Sequence, residues 1–250
     1  MNQDEFVELL EELIACHSPV GEEREIENVI YGHFADTGAK VWQDDATNLY
    51  AHVPGNGPKV MIAAHKDEIG MVVTRVAEDG RISVENCGGS FPWKYGEGPV
   101  EIIADDGSVI EGILSVGSIH TNKGPLSEIQ KSRALTWDLV SIFTGLSKSE
   151  LESRGVHVGS RAVVARERKV VKRLGDYVAS FALDDRMGLV SVIAGLRELV
   201  NANLNLDLYF LATHGEEIGM VGAMRAAQLV RPDIFIALDT SPIVDETPLV

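Results

Sequence analysis

The sequence predicts an α/β protein with a second, β-rich domain inserted into it. At both ends of the chain, apolar strand-like segments alternate with amphipathic helical segments, which is the pattern of α/β domains. In the middle, the pattern changes to short β-type segments separated by Asp-Gly and Gly-Gly turns. We therefore expect residues 1–72 and 163–250 to form the α/β domain and residues 73–162 to form the inserted domain.

The N-terminal segment predicts two helices and the first strands of the α/β domain. Ser18 is expected to cap the second helix and Gly38 to end it, because these residue types favour those positions. The apolar segment KVMIAA then ends at His65, and its unbroken apolar character is typical of a strand buried on both faces. Apolar residues recur at helical spacing in the first helix: Phe6, Leu9, Leu10, Leu13 and Ile14.

Turn signals in the middle of the chain predict antiparallel strands. The Asp-Gly pairs at 79–80 and 106–107 each separate two β-type segments, as expected of hairpins. One short helix, SKSELESR, interrupts the strands, and Ser147 and Glu150 have the spacing of a capping box at its start.

The last third of the sequence returns to the α/β pattern. The segment RMGLVSVIAGLRELV is apolar nearly all round and predicts a buried helix. The segment IGMVGAMRAAQLV predicts a further helix. Three apolar segments predict strands of the α/β sheet: YVASFAL, LDLYFLAT and DIFIALDT.

The acidic composition argues against nucleic acid or an anionic membrane as a partner. The formal net charge is −16, and the one clear basic run, at 166–173, is interpreted as an exposed strand or hairpin edge. The two cysteines, Cys16 and Cys87, do not form a disulfide framework, which favours a reducing, cytoplasmic location. The sequence has no signal-peptide pattern and no apolar run long enough to span a bilayer.

Metal-binding and acidic side chains follow four of the apolar segments. Ligands of open α/β sheets bind at the carboxyl ends of the strands, so we expect these side chains to converge on one cleft. They are His65 and Asp67, Asp184 and Asp185, Glu216 and Glu217, and Asp239.

Each of these residues alone also has a structural interpretation. Asp184 or Asp185 could cap the helix that follows. Glu216 and Glu217 could favour a helix N-terminus, and residues 239–242 could form only a turn. The occurrence of all four in one predicted sheet favours a shared functional site.

The chemistry of this residue set points to a divalent metal ion. One imidazole and several carboxylates without a thiolate suit zinc, cobalt or manganese in a catalytic site. His65 and Asp67 are two residues apart and would face the same side of an extended chain, so Asp67 could orient the imidazole. Asp184 could bridge two ions, and of the paired glutamates one could bind metal while the other acts as general base.

Four segments together resemble the deblocking or glutamyl aminopeptidase family, whose members are tetrahedral dinuclear-metal aminopeptidases, some of them labelled endoglucanases. The segments are AAHKDEIGMVV, FALDDRMG, ATHGEEIGMVGA and IALDTSP, in the order and spacing of the family. The resemblance extends over nearly the whole chain. It implies a mixed-sheet, phosphorylase/hydrolase-like metallopeptidase domain with an inserted β-barrel-like domain.

Carried over residue by residue, the resemblance implies two divalent ions per subunit, zinc or cobalt with manganese as an alternative. It implies that His65, Asp184 and Asp239 hold the first ion, that Asp184 bridges to the second, and that Glu217 binds the second.

The resemblance also assigns the two catalytic roles. Glu216 matches the general base, and Asp67 matches the carboxylate behind His65. In related peptidases the peptide bond after the bridging aspartate is cis, which implies a cis bond between Asp184 and Asp185.

The sequence departs from the family at one point. A further family histidine near the C-terminus completes the second metal site, whereas the last histidine here is His214 and the sequence stops at Val250. Either the chain is truncated or it is a natural short form. We expect a second site that lacks one protein ligand, filled by water or by a histidine of another subunit, and a sheet with an exposed edge.

The function implied by the resemblance is removal of N-terminal residues from short peptides inside a homo-oligomer, a dodecamer in the family, with the inserted domain forming contacts between subunits. An inactive or fragmentary paralogue that acts as an assembly subunit is one alternative, motivated by the missing histidine. An endoglucanase-type glycosidase is disfavoured, because Glu216 and Glu217 are adjacent and cannot flank one glycosidic bond.

Overall fold

The chain folds into two compact units, each with its own core. The computed structural model describes residues 1–118, 120–123, 125–129 and 134–241. The first unit, called the α/β unit, comprises Met1–Ser18, Glu23–Glu68 and Val170–Val250. The second, called the barrel unit, comprises Pro19–Glu22 and Ile69–Lys169.

The described residues form seven α-helices and thirteen β-strands. The α-helices are α1 (Gln3–Ala15), α2 (Arg24–Ala35), α3 (Pro92–Tyr95), α4 (Pro125–Ile129), α5 (Lys148–Ser153), α6 (Leu183–Leu199) and α7 (Val221–Val230). The strands are β1 (Lys40–Gln43), β2 (Leu49–Val53), β3 (Lys59–His65), β4 (Gly70–Val76), β5 (Ile82–Cys87), β6 (Gly98–Ile103), β7 (Val109–Ser115), β8 (Ser141–Phe143), β9 (Arg161–Val164), β10 (Lys172–Leu174), β11 (Tyr177–Ala179), β12 (Asp207–Thr213) and β13 (Ile234–Ala237). Short 3-10 helices span Trp137–Leu139 and Arg166–Arg168.

A mixed five-stranded sheet forms the centre of the α/β unit. Its strand order is β1-β2-β12-β3-β13. The pairs β1–β2 and β2–β12 are antiparallel, whereas β12–β3 and β3–β13 are parallel. The predicted mixed α/β fold is therefore confirmed.

Strand β3 is buried on both faces, as its unbroken apolar sequence predicts. Val60 and Ala64 face the core that α1, α2 and α6 cover. Met61 and Ala63 face the opposite way, into a smaller core that includes Ala226 of α7. Successive side chains of a strand point to opposite faces, so a strand between two helical layers needs apolar residues at every position.

The barrel unit contains a closed six-stranded barrel in the order β4-β5-β8-β7-β6-β9. The two Asp-Gly hairpins are confirmed, since β4 pairs with β5 and β6 with β7 in antiparallel register. Gly80 and Gly107 have φ values of 79° and 83°, the left-handed region that favours glycine. The capping box is also present, because Ser147 accepts a hydrogen bond from the Glu150 N–H and the Glu150 side chain accepts one from Ser147.

The expectation that Ser18 caps the second helix is wrong. Helix α2 begins at Arg24, and Glu23 occupies the N-cap position. The side chain of Ser18 is instead buried and accepts a hydrogen bond from Arg186, while its backbone N–H donates to Glu68 at 2.9 Å. A long-range partner therefore overrides the local capping preference of serine.

The expectation that YVASFAL forms a strand of the main sheet is also wrong. Only Tyr177–Ala179 is extended, and it pairs with β10 in a separate two-stranded hairpin. Asp184 and Asp185 therefore lie in the first turn of α6 rather than at the end of a sheet strand.

Strand β13 lies at the edge of the main sheet. Within the part of the chain that the structure describes, all four residues of this strand, Ile234–Ala237, are exposed. None of the helices formed by the described residues has the length and apolar character needed to cross a membrane.

Candidate metal centre

His65 is the central residue of the site. It is the last residue of β3, and its side chain is almost completely buried. Strands β3 and β12 are parallel and in register at their carboxyl ends, where His65 lies opposite Thr213. The segments that follow the two strands therefore start at the same level, and this brings Asp67 close to the loop between β12 and α7. We call that loop, residues 214–220, the glutamate loop.

Asp67 connects His65 to the glutamate loop. Its Oδ1 accepts a hydrogen bond from the Glu216 backbone N–H, and its Oδ2 accepts one from the Glu217 N–H, both at 3.1 Å. Its backbone carbonyl lies 3.0 Å from His65 Nδ1, and its Oδ1 lies 3.6 Å from the same nitrogen. One fully buried residue thus holds the imidazole ring, mainly through its backbone carbonyl, and the backbone of both glutamates through its carboxylate.

The other ring nitrogen of His65 faces a group of carboxylates. Its Nε2 lies 2.9 Å from Asp184 Oδ1 and 4.0 Å from Glu216 Oε2. His65 belongs to two groups of residues that could ligate a metal ion. The first group adds Glu216 and Glu217, and the second adds Asp184 and Asp239. Within each group the atoms lie within 4.8 Å of one another, a spacing that a single ion can span after small side-chain movements.

The two adjacent aspartates at the start of α6 point in different directions. The side chain of Asp184 is exposed and contacts His65 Nε2, whereas the side chain of Asp185 is fully buried. Asp185 accepts hydrogen bonds from the Gly188 N–H at 2.9 Å and the His65 N–H at 3.2 Å. Asp185 therefore caps α6 and ties it to β3, which leaves Asp184 available to a ligand. The bond between them is cis, as the family resemblance implies.

Asp239 enters the site from β13. The Leu238 N–H continues the pairing with β3 through a 2.8 Å hydrogen bond to the Ala63 carbonyl. The exposed carboxylate of Asp239 follows directly, and the Thr240 N–H donates to it at 2.7 Å. The structure thus brings together the predicted residues of all four segments.

The carboxylates of the site require positive charge. Burial opposes protonation of His65, but its hydrogen bonds with Asp184 and Asp67 outweigh burial and raise its pKa to about 11. The hydrogen bond with His65 in turn lowers the pKa of Asp184. A divalent cation at this position would satisfy the same carboxylates that hold a proton on His65, so the residues present fit a metal ion.

Glu216 has different electrostatics. Burial, followed by the negative charges of Asp239, Asp67 and Asp184, raises its pKa against the opposing effect of His65. A carboxyl group with a raised pKa is suited to accepting and returning a proton near neutral pH.

His65 is the one imidazole in the two ligand groups formed by the described residues. His214 belongs to the glutamate loop but turns away from the site, where its Nδ1 lies 2.6 Å from Glu23 Oε1. That hydrogen bond raises the pKa of His214 although burial opposes it.

Two charged residues that were not predicted from the sequence support the site. Arg186 is fully buried and donates to the carbonyls of Leu13 and Lys66, at 3.1 and 2.9 Å. Lys66 is also fully buried and pairs with Glu27. Each of them directly follows a candidate site residue in the sequence. A basic residue at the end of an apolar strand, or at the start of an apolar helix, is the sequence feature that could have pointed to them.

Comparison with known proteins finds relatives that are named as aminopeptidases. A family model described as M42 glutamyl aminopeptidase matches residues 47–249. The putative aminopeptidase FrvX of Escherichia coli K12 is 30% identical over 236 residues, which are 94% of this chain and 64% of that protein. This chain therefore spans slightly less than two thirds of the length of FrvX.

Solved structures agree with this comparison. The aminopeptidase APDkam598 from the archaeon Desulfurococcus kamchatkensis has a TM-score of 0.83 at 30% identity, over 95% of this chain and 63% of that one. The TET1 peptidase of Pyrococcus horikoshii, which can assemble into a tetrahedron or a large octahedral shell, has a TM-score of 0.79 at 25% identity, over 94% of this chain and 68% of that one. Because the family model matches well over half of the residues, the chain belongs to the M42 glutamyl aminopeptidase family.

Proposed function

We propose that this chain is the catalytic part of a metal-dependent aminopeptidase that removes N-terminal residues from short peptides. The observation that carries the proposal is the pair of ligand groups that share His65 at the carboxyl end of the sheet. Membership of the family and the aminopeptidase names of its relatives support the same reaction.

The proposed ligands are His65, Asp184 and Asp239 for one ion, with Asp184 bridging to a second ion that Glu217 binds. The spacing of the ligand atoms supports the first group directly. Zinc and cobalt suit this set of one imidazole and several carboxylates, and manganese is the alternative. When bound, such ions would supply Lewis-acid chemistry, by activating a water molecule and polarising the peptide carbonyl.

Glu216 is the proposed general base. In this role it would take a proton from the attacking water and return that proton to the leaving amine, and the burial that raises its pKa favours this role. Asp67 holds the N–H groups of Glu216 and Glu217, and so fixes the position from which the Glu216 carboxylate acts.

The charge of the site supports a substrate with a free amino group. Six carboxylates surround His65: Asp67, Asp184, Asp185, Glu216, Glu217 and Asp239. Two divalent ions would supply four positive charges, so the filled site would keep negative charge to attract the ammonium group of a peptide N-terminus.

We also propose that the chain forms a homo-oligomer, with the dodecamer as the leading model. The ability of the P. horikoshii TET1 peptidase to form a tetrahedron or an octahedral shell supports self-assembly of this chain. We place the contacts between subunits in the inserted domain, residues 73–162. Light scattering of the purified protein tests this proposal, and a dodecamer would have twelve times the 27.1 kDa mass of the chain.

The proposed reaction is tested with peptides that differ only at the N-terminus. The protein, loaded with Co²⁺ or Zn²⁺, should release the first residue of a short peptide with a free amino group. It should leave the N-acetylated peptide intact and release no reducing ends from cellulose. A chain that binds less than one ion and cleaves neither peptide would instead support the assembly-subunit alternative, which the single imidazole of the site motivates.

A further inference from the structure

The side chain of Asn48 reaches from the sheet to both ends of the glutamate loop. Asn48 directly precedes β2 and is completely buried. Its Oδ1 accepts a hydrogen bond from the His214 N–H at 3.0 Å, and its Nδ2 donates to the Gly222 carbonyl at 3.1 Å. His214 is the first residue of the loop, and Gly222 lies two residues after its last residue, Met220.

The same two loop ends also contact each other. The Gly222 N–H donates to the His214 carbonyl at 2.9 Å, which closes the base of the loop. A Cβ atom at Gly222 would collide with the His214 carbonyl and with Asn48 Oδ1, so this close approach requires glycine. The loop that carries Glu216 and Glu217 is therefore closed at its base by three hydrogen bonds. The Asn48 side chain accepts one of them and donates another.

Asp44 fixes the orientation of the Asn48 amide. Its Oδ2 accepts the second hydrogen bond of Asn48 Nδ2 at 2.9 Å, and its Oδ1 accepts the Asn48 backbone N–H at 2.9 Å. Both N–H groups of the amide therefore have acceptors, and its oxygen has a donor. A buried amide with complete hydrogen bonding has one favoured orientation, because a flip would place like groups against each other.

We infer that Asn48 is a positioning residue for the glutamate loop. It acts through the backbone of that loop rather than on the substrate. The inference rests on the proposed function, in which Glu217 binds metal and Glu216 is the base. Asp67 holds the N–H groups at the centre of the loop, and Asn48 holds its base. The two glutamates are thereby fixed from two sides, as a site that must hold ligands in place requires.

The structure offers a matched control at the opposite end of the same strand pair. Asp207, the first residue of β12, also bonds across to β2, where its Oδ1 lies 2.6 Å from His52 Nε2. It is six residues from Thr213, or about 20 Å along an extended strand. Asp207→Ala removes a polar contact between the same two strands without touching the glutamate loop.

Hydrogen exchange of the metal-free proteins, resolved by peptide, tests the contact itself. In Asn48→Ala, amides in residues 214–222 should exchange about tenfold faster than in the unsubstituted protein, because the loop loses both side-chain bonds. Asp207→Ala should leave exchange in this segment unchanged. If Asn48→Ala does not fold, Asn48→Ser is measured in the same way with the same expectation.

Cobalt titration and steady-state kinetics test the consequence for the site. Asn48→Ala should bind Co²⁺ about tenfold more weakly and have a lower kcat with a nearly unchanged KM, whereas Asp207→Ala should match the unsubstituted protein in all three. Asn48→Asp has nearly the same shape but places an acceptor against the Gly222 carbonyl and Asp44, so it should be at least as impaired. A role in packing alone would leave Asn48→Asp close to the unsubstituted protein.

The results separate this inference from the proposed function. Unchanged exchange in residues 214–222, or unchanged Co²⁺ affinity in Asn48→Ala and Asn48→Asp, would overturn the role of Asn48 while leaving the aminopeptidase proposal in place. If the unsubstituted protein neither binds Co²⁺ nor cleaves peptides, the proposed function fails. In that case the positioning of the loop by Asn48 is still decided by hydrogen exchange.

Discussion

Asp67 and Glu217 are joined by a 3.1 Å hydrogen bond from the backbone N–H of the glutamate to the carboxylate of the aspartate. The neighbouring Glu216 N–H makes an equal bond to the other oxygen of Asp67. The same carboxylate lies behind the ring of His65. The imidazole from β3 and the two glutamates that follow β12 are therefore held by one buried group.

Replacement of Asp67 by asparagine should weaken the site strongly. An amide has one oxygen, so its NH₂ group would face one of the two glutamate N–H groups, and His65 would lose a negative partner. We expect metal affinity and kcat to fall by about 10- to 100-fold. Exposed Glu8 provides the control, since Glu8→Gln removes one negative charge from the same unit. Metal titration and kinetics within threefold of the unsubstituted protein would contradict the role of Asp67.

Replacement of Arg186 by methionine should destabilise the α/β unit. The buried guanidinium donates to the Leu13 and Lys66 carbonyls and to Ser18, and methionine would leave these acceptors unsatisfied. We expect a loss of about 3 kcal/mol or more in the free energy of unfolding, measured by denaturant titration.

Arg197 is the matched control for that experiment, because it is an exposed arginine of the same helix that contacts His33. Arg197→Met should cost about 1 kcal/mol or less. An equal loss in the free energy of unfolding for the two arginine variants would show that the buried contacts of Arg186 do not contribute more to stability than the exposed contact of Arg197.

His214 should make the stability of the metal-free protein depend on pH. Its hydrogen bond with Glu23 raises its pKa above the ordinary histidine value of 6.5, so the folded state binds the proton more tightly than the unfolded state. The stabilisation from His214 is then complete below pH 6.5 and is lost as the pH rises through the raised pKa.

The corresponding measurement compares denaturant unfolding of the protein with that of His214→Asn across this pH range. The stability difference should be largest at acid pH and should shrink as the pH rises. In a Glu23→Gln background the difference should lose this dependence, and a persistent dependence there would assign the effect to another group.

Metal ions should stabilise the folded protein. An ion that binds only the folded state adds about 4 kcal/mol at a free concentration 1,000 times its Kd. We expect the thermal midpoint to rise when Co²⁺ or Zn²⁺ is added to chelator-treated protein, and to rise much less for Asp184→Asn, which weakens one ligand. Glu8→Gln should respond as the unsubstituted protein does. An equal rise in Asp184→Asn would remove this residue from the proposed ligand set.

The convergence of the site was predictable because it depends on strand ends. An apolar strand followed by His or Glu is visible in the sequence, and parallel strands bring their carboxyl ends to one edge, as β3 and β12 do. Asp184 reaches the same place by a different route, from the first turn of α6, since YVASFAL contributes only a short hairpin strand. Asp184 therefore lies beside His65 although the secondary-structure prediction for the segment before it was wrong.

The supporting contacts could not be predicted from the sequence. Asn48 lies 166 positions from His214, and Arg186 lies 168 positions from Ser18. Local preferences describe such residues as turn and capping residues, whereas their actual partners are set by the packing of distant segments. Ser18 shows the difference, because its hydroxyl binds Arg186 rather than the start of α2.

The most direct test of the proposed mechanism is the substitution Glu216→Gln. The amide keeps the size and a metal-ligating oxygen of the glutamate but cannot accept a proton at neutral pH. With metal content measured on the same sample, the variant should retain the ions of the unsubstituted protein. It should also lose about 10²- to 10⁴-fold in kcat on an aminoacyl-nitroanilide. Full metal content with an unchanged rate would contradict Glu216 as the general base.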